Sequence, residues 1–206
     1  MTNETKRKSI INGKSIVLII LLFAVIAGFY MKISNDKKDV TNKVKDEYTI
    51  LKEKDLDDSY PETPREVVKL YGRIAKCIYK EGLSDKKTEA LVCQLRKLFD
   101  EELLKENPIE SQLQELDYDL RTFHKAQKTI INYEVDKDSL VEATVDGVEN
   151  ASAVLSFSIK KDGKYTRTNE LFLLRKDVSG KWKIVGWQLV DNKNNTDKNK
   201  DEVSDK

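Results

Sequence analysis

Hydrophobic residues follow three successive patterns along this chain, and each pattern predicts a different kind of element. An unbroken apolar run occupies residues 15–31, close to the first residue. Between residues 63 and 126 the apolar positions recur every three or four residues, as on one face of a helix. Between residues 129 and 190 they alternate with polar positions, as on a strand with one buried face. The order predicts a membrane segment, then helices, then an antiparallel sheet.

The apolar run is interpreted as a transmembrane helix at residues 15–32. A helix that crosses a bilayer needs roughly 17–25 apolar residues, and the stretch between Lys14 and Lys32 contains no charged residue. A cleaved signal peptide is the alternative, with the basic residues 6–8 before the run and the small residue Ala27 within it. The run continues beyond Ala27, which favours an uncleaved anchor, although the residues leave cleavage open.

The polar segments on either side of the run and at the chain end complete the predicted organisation. Basic residues are about as frequent after the run as before it, so they do not set the orientation. Because a short leading segment usually stays inside, we expect residues 1–14 to form a cytoplasmic tail and the bulk of the chain to be extracytoplasmic. Residues 33–59 predict a charged stalk or a loose linker whose end docks on the domain. Residues 191–206 contain almost nothing to bury and predict a disordered tail.

Residues 60–190 are predicted to form one α+β domain, and its first half is helical. Thr63 and Glu66 have the spacing of a capping box around a proline at the first helical position, so a helix begins there. A second helix begins at Ser84 or Asp85, and a short helical piece covers residues 100–106. A third helix, over about 108–126, carries apolar residues on one face: Ile109, Leu113, Leu116, Leu120 and Phe123.

The second half of the domain predicts an antiparallel meander, with helices packed on one face of a curved sheet. Strands are expected over residues 129–135, 139–145, 151–159, 164–175 and 181–190. The register of the central hairpin depends on the loop at Asp162 and Gly163. A two-residue loop places Glu170 opposite Leu155, on the apolar face, whereas a three-residue loop turns Glu170 to solvent. Hydrophobicity does not choose between them, because residues 171–174 are all apolar.

Three stretches carry a resemblance to known proteins. Residues 60–71, 98–104 and 173–187 read YPETPREVVKLY, LFDEELL and LLRKDVSGKWKIVGW. Together they resemble an uncharacterised family of single-pass membrane proteins from Gram-positive anaerobes. The last stretch is similar to a hairpin of the nuclear-transport-factor-two-like (cystatin-like) cone fold. The resemblance implies a fold and a location but no activity, because this superfamily includes enzymes, binding modules and parts of conjugation machinery.

Composition excludes several kinds of partner. The chain has 37 Lys and Arg against 36 Asp and Glu, a net charge of +1, and both signs are interleaved. Nucleic-acid binding needs a basic face, so we expect no nucleic-acid partner. Two cysteines and one histidine are too few for a Cys/His zinc site, and no motif predicts a metal or another cofactor.

Glu170, Thr168 and His124 are the candidate pocket residues. With the two-residue loop, Glu170 and Thr168 face the inside of the cone, and a polar patch there would belong to a pocket. His124 would join it as a general base if its ring reached the same space. The alternative for Glu170 is a solvent-facing carboxylate, and for His124 a partly exposed ring near a helix end. No catalytic residue is assigned.

Two further pairs of residues have both a structural and a functional interpretation. Cys77 and Cys93 lie on successive predicted helices and are a candidate disulfide in an extracytoplasmic domain. Cys93 points away from the apolar stripe of its helix, which favours two separate thiols. Trp182 and Trp187 could stack on a ligand, but their position on a helix-covered strand favours core packing.

The leading functional hypothesis is a non-enzymatic domain, anchored in the bilayer through residues 15–32, that binds a protein or an envelope component. An anchor, a charged spacer and a compact domain without convergent acid–base groups motivate it. One alternative is a structural subunit of a conjugation or secretion assembly. Another is a small cone-pocket hydrolase or isomerase that uses Glu170 or His124.

Overall fold

A computed structural model describes residues 46–190 of the chain. The predicted cytoplasmic tail, transmembrane helix and C-terminal tail, together with residues 33–45 of the predicted stalk, lie outside the described residues. Within residues 46–190, every helix is too short or too polar to cross a bilayer. The described part is an α+β domain with helices followed by an antiparallel sheet, as the patterning predicts.

Five helices precede the sheet in the described residues, and local sequence signals explain where they begin. They are α1 (Glu47–Lys52), α2 (Pro64–Ile78), α3 (Asp85–Arg96), α4 (Glu101–Glu106) and α5 (Ile109–Lys125). The predicted capping box at α2 is confirmed, because Thr63 Oγ1 accepts from Glu66 N at 3.2 Å while Glu66 reaches back to the Thr63 amide. Asp46 and Asp100 cap α1 and α4 with their carboxylates.

The helix α1 lies within residues 33–59, the segment for which the sequence predicts a charged stalk or a linker whose end docks on the domain. Leu51 and Leu56 are fully buried in the core. The side chain of Gln94 on α3 also donates to the carbonyl of Lys52 at 2.5 Å. From residue 46 onward the predicted stalk is therefore part of the domain, as expected of a linker whose end docks. The physical reason is that the few apolar residues of this segment are buried against α3.

The strands are β1 (Thr129–Val135), β2 (Val141–Val145), β3 (Val148–Lys161), β4 (Lys164–Lys176) and β5 (Trp182–Val190). Strands β2 to β5 form the predicted meander, but β1 pairs with β3 instead of its neighbour β2. The length of β3 explains this difference. The short β2 covers only residues 148–152 of β3, so β1 pairs along residues 155–160 of the same edge.

The central hairpin has the two-residue loop, which decides the register that the sequence left open. Asp162 and Gly163 both have positive φ, 49° and 74°, as in the tight turn that matches the twist of paired strands. The pairing places Leu155 opposite Glu170. Glu170 therefore lies on the inner face of the sheet, with the buried side chains of β3.

The helix α2 packs across the inner face of the sheet and forms the centre of the core. Its apolar face includes Val67, Val68 and Ile74, all fully buried. At Gly72 a Cβ atom would lie 2.8 Å from Cδ2 of Tyr133 and 3.1 Å from Cδ1 of Leu155. A larger residue would therefore force these two side chains on the sheet to move.

Candidate functional site

A cavity of about 430 Å³ lies between α2, α5 and the inner face of the sheet. The helix α2 contributes Tyr71 and Ala75, and α5 contributes Leu116 and Asp119. The sheet contributes Ile130, Phe157, Ile159, Thr168, Glu170 and Trp187. Most of these side chains are apolar or aromatic, and a few polar groups converge among them, as in small-molecule sites.

The space exists because α5 is held at its ends and does not close onto the sheet in between. At its beginning, the Arg96 guanidinium donates to the carbonyl of Asn107 and to the side chain of Gln112, both at 2.7 Å. At its end, Nε2 of His124 lies 3.1 Å from the carbonyl of Tyr79, to which it donates. None of the residues of α5 is fully buried. The apolar stripe of α5 packs only partly against the core, and two of its residues, Leu116 and Phe123, line the cavity.

Glu170 is the polar group at the inner wall of this cavity. Its pairing with Leu155 and Leu189 places it among apolar neighbours on the sheet. Its Oε2 atom is buried and has no hydrogen-bond partner in residues 46–190. Burial raises the pKa of Glu170 from 4.5 to about 7, because the apolar surroundings disfavour the charged form. Near neutral pH the group can therefore hold or release a proton.

Aromatic side chains surround the carboxyl group. Trp187 is 40% exposed and stacks on Phe172 with ring centroids 5.7 Å apart, and its centroid lies 5.4 Å from that of Tyr71. Burial raises the pKa of Tyr71 well above its usual value, and the charge of Glu170 adds to this rise. Burial, followed by the charges of Asp119 and Glu170, raises the pKa of Tyr79 to about 12. Both phenols are neutral at physiological pH, close to the Glu170 carboxyl.

The charged groups of the lining are mostly acidic. Glu115 and Asp119 from α5 join Glu170, and Lys128 is the cation among the lining residues. The two carboxylates of α5 are exposed side chains at the edge of this lining. The site therefore disfavours anions and attracts cations.

Two of the three residues predicted for a pocket lie at the cavity, and the third does not. Glu170 and Thr168 line the cavity together, as the two-residue loop requires. His124 lies outside the lining, because its ring donates to the Tyr79 carbonyl and contacts Phe123 edge-on at 6.0 Å between centroids. It positions the end of α5 instead of facing the carboxyl group.

The cysteines are separate thiols in the structure. Cys77 is buried on α2, where burial and then the charge of Glu47 raise its thiol pKa, and Cys93 is exposed on α3. The structure therefore has no disulfide between Cys77 and Cys93, the pair considered from the sequence. Within residues 46–190, His, Cys, Asp and Glu side chains form no group that could hold a metal ion.

Tyr71, Trp187 and Asp119 are site residues that the sequence reasoning missed. Trp187 was expected in the core, as Trp182 is, yet only Trp182 is fully buried. A shift of the β4–β5 register between Leu173 and Leu174 places Trp187 opposite Phe172, on the same face of β5 as the buried Ile184. The glycine at position 186, which predicts a bulge, was the available signal.

A larger and more open cavity of about 920 Å³ borders α4 and the first part of β5. Its buried carboxylate, Asp100, is paired with Arg175 through two hydrogen bonds of 2.6 and 2.8 Å. Burial acts to raise the pKa of Asp100, but the bonds from Arg175 and from the Glu102 amide hold it below its usual value. Because this carboxylate already has partners, the cavity offers a ligand less than the Glu170 site does.

Comparison with known families gives one result that covers most of the chain. A family model described as "Domain of unknown function (DUF6715)" matches residues 1–187. No curated protein matches the chain significantly.

Proposed function

We propose that this chain, which belongs to the DUF6715 family, is a non-enzymatic binding domain whose cavity under α5 takes a small, largely apolar molecule. The observation that carries the proposal is the cavity itself, which is lined by aromatic side chains and contains one buried carboxyl group. Its volume of about 430 Å³ is in the range of sites that enclose small ligands. The sequence led us to expect a protein or an envelope component as the partner. The cavity favours a small molecule instead.

The assignment to the cystatin-like cone fold is part of the same proposal. Helices on one face of an antiparallel sheet, with long strands β3 and β4, support it. In such an arrangement the space between helix and sheet is the natural place for a ligand, because it is concave and shielded from water.

A probe of the cavity tests this function directly. N-phenyl-1-naphthylamine is apolar and uncharged, and its fluorescence rises when it leaves water. We expect saturable binding with one site per chain. In the variant Ala75→Phe, the added ring fills part of the cavity from α2, so binding should weaken by about tenfold.

Ala143→Phe is the matched control, because Ala143 is exposed on β2 away from the cavity. It should bind the probe as the unchanged chain does. Equal binding by the unchanged chain and Ala75→Phe would show that the probe binds elsewhere, and would refute the proposed site.

The location proposed with this function is the outer side of a membrane, with residues 15–32 as the anchor. The uncharged run between Lys14 and Lys32 supports it. The exposed thiol of Cys93 provides the test. A membrane-impermeant maleimide should label intact cells that carry the chain, and the label should vanish in Cys93→Ser. Labelling that requires cell lysis would place the domain inside and overturn this part of the proposal.

The raised pKa of Glu170 also favours a second candidate, the cone-pocket isomerase. A carboxyl group with a pKa of about 7 in a water-poor cavity is suited to moving a proton at neutral pH. His124, its expected companion, lies outside the lining, so Glu170 would act alone. Isomerisation of a small unsaturated ketone, in which a proton moves from one carbon to another, that is lost in Glu170→Gln would favour this candidate over simple binding. A structural subunit of a conjugation or secretion assembly would instead be recovered by crosslinking as a defined oligomer.

A further inference from the structure

We propose that the ligand of the Glu170 cavity is an organic amine, with an apolar body among the aromatic side chains and a protonated nitrogen paired with the Glu170 carboxylate. This inference rests on the proposed binding function of the cavity. It adds the chemical class of the ligand, which follows from three properties of the lining.

The first property is the unsatisfied carboxyl oxygen. Oε2 of Glu170 is shielded from solvent and receives no hydrogen bond from residues 46–190. A buried acceptor without a donor costs free energy, more so when it is charged. Because Glu170 lines the cavity, rotation of its carboxyl group would turn Oε2 toward that space, where a ligand ammonium group would supply both the missing donor and the opposite charge.

The second property is the aromatic lining beside that oxygen. The ring of Tyr71 is close enough to Glu170 for the carboxylate charge to influence its phenol, and Trp187 lies 5.4 Å from Tyr71 between ring centroids. Aromatic faces attract organic cations, most strongly where the contact is shielded from water. The same rings accommodate an apolar body.

The third property is the sign of the surrounding charge. Besides Glu170, the titratable groups of the lining are Tyr71 and Tyr79 on the α2 side, Glu115 and Asp119 on α5, and Lys128 next to β1. Three carboxyl groups against one ammonium group favour a cationic ligand over an anionic one. The carboxyl groups of Glu115, Asp119 and Glu170 would repel a ligand with a carboxylate or phosphate.

The rival ligand is a neutral molecule that accepts a hydrogen bond from protonated Glu170. The two kinds of ligand differ in whether their binding releases or takes up a proton. An ammonium group binds the ionised form of the Glu170 carboxyl group, whereas a neutral acceptor binds the protonated form. With a pKa of about 7, half of the Glu170 carboxyls carry a proton at pH 7. Amine binding at that pH should therefore release about half a proton per site, and binding of a neutral acceptor should take up about half a proton. Tyr71 and Tyr79 stay neutral and do not contribute.

The test uses two probes of nearly the same shape, 2-naphthylmethylamine and 2-naphthalenemethanol, and the full chain in an isothermal titration calorimeter. At pH 8 the amine should bind at least about tenfold more tightly than the alcohol, because only the amine brings a positive charge to the ionised carboxyl group. Between pH 8 and pH 6 its affinity should fall about tenfold, as the ionised fraction of Glu170 falls. Titrations in buffers of different ionisation enthalpy measure the proton released. The apolar probes also dissolve in the lipid or detergent that carries the full chain. Titrations of the lipid or detergent alone, and of the variant Ala75→Phe, measure this background so that it can be subtracted.

Glu170→Gln keeps the shape of the side chain and removes its charge, so the amine should bind it no better than the alcohol does. Glu142→Gln, at an exposed position of β2, is the matched control and should keep the preference. Retained alcohol binding by Glu170→Gln verifies that its cavity is intact.

The outcomes separate the two proposals. If the alcohol binds the unchanged chain as tightly as the amine, or if protons are taken up with the amine, the amine inference is wrong while the binding function stands. If neither naphthalene probe binds and N-phenyl-1-naphthylamine also fails, both proposals are wrong.

Discussion

Replacement of Phe172 by alanine is expected to lower the free energy of unfolding by about 3–5 kcal/mol. Phe172 has an exposed fraction of 0% at the centre of the core. Its ring packs edge-on against Tyr71, with centroids 4.7 Å apart, and stacks on Trp187. Truncation removes these contacts and leaves a void that the surrounding helices and strands fill only in part. The loss is a large share of the total stability of a domain.

Leu173 provides the control for this measurement. It follows Phe172 on β4 but points to the outer face of the sheet and is 49% exposed. Leu173→Ala should change the free energy of unfolding by less than about 1 kcal/mol. Denaturant titrations followed by circular dichroism compare the variants. Equal losses for both would mean that the inner and outer faces of β4 are wrongly assigned.

The free energy of unfolding is also expected to fall by about 3 kcal/mol between pH 4.5 and pH 8 through Glu170 alone. Its pKa is about 7 in the folded chain and near 4.5 when unfolded. The unfolded state therefore loses this proton first as the pH rises. The folded state is penalised increasingly from pH 4.5 until the pH exceeds 7, and the penalty is constant above that.

Other carboxyl groups act in the opposite direction, so the prediction concerns a difference between variants. The pKa values of Asp100 and Asp177 are lowered on folding, despite burial, by hydrogen bonds from Arg175 and Ser179 respectively. These groups lose stabilisation as the pH falls toward and below their unfolded values. Subtracting the pH profile of Glu170→Gln from that of the unchanged chain cancels their effect. For the control variant Glu142→Gln, the free energy of unfolding should depend on pH as it does for the unchanged chain. The same pH dependence in Glu170→Gln would contradict the prediction, because it would show that Glu170 is solvated.

The two predictions concern residues on the same face of the sheet that have opposite effects on stability. Phe172 and Glu170 both point inward from β4, yet one stabilises the fold and the other weakens it above neutral pH. A carboxyl group that costs stability and lacks a partner is typical of a functional position, because binding can restore what folding leaves unsatisfied. A bound amine should therefore raise the thermal stability of the chain most strongly above pH 7.

Local signals in the sequence predicted most of the secondary structure. The capping box at Thr63 and the spacing of Val67, Leu70 and Ile74 predicted α2, because caps and a 3.6-residue period depend on neighbouring residues only. The alternation along residues 151–159 likewise predicted β3. The pairing of β1 with β3 was not predictable in this way, because it joins residues that are distant in sequence.

The candidate site was only half predictable, and α5 shows why. The spacing of Leu113, Leu116 and Leu120 predicted an apolar face, which the helix has. Periodicity shows which face of a helix is apolar but not how far it lies from the sheet. That distance depends on the anchors at its ends, Arg96 and His124, and the cavity follows from it.

The sequence by itself determined the uncharged run near the N-terminus, the order of helices before strands and the near balance of charge, because these are properties of composition and of neighbouring residues. Only the tertiary structure decided that Glu170 faces inward, that α5 encloses a cavity above it and that Cys77 and Cys93 remain apart. The reason is physical: register, helix height and thiol distance depend on how separate elements pack together, and a shift of one residue or a few ångströms in that packing changes each of them.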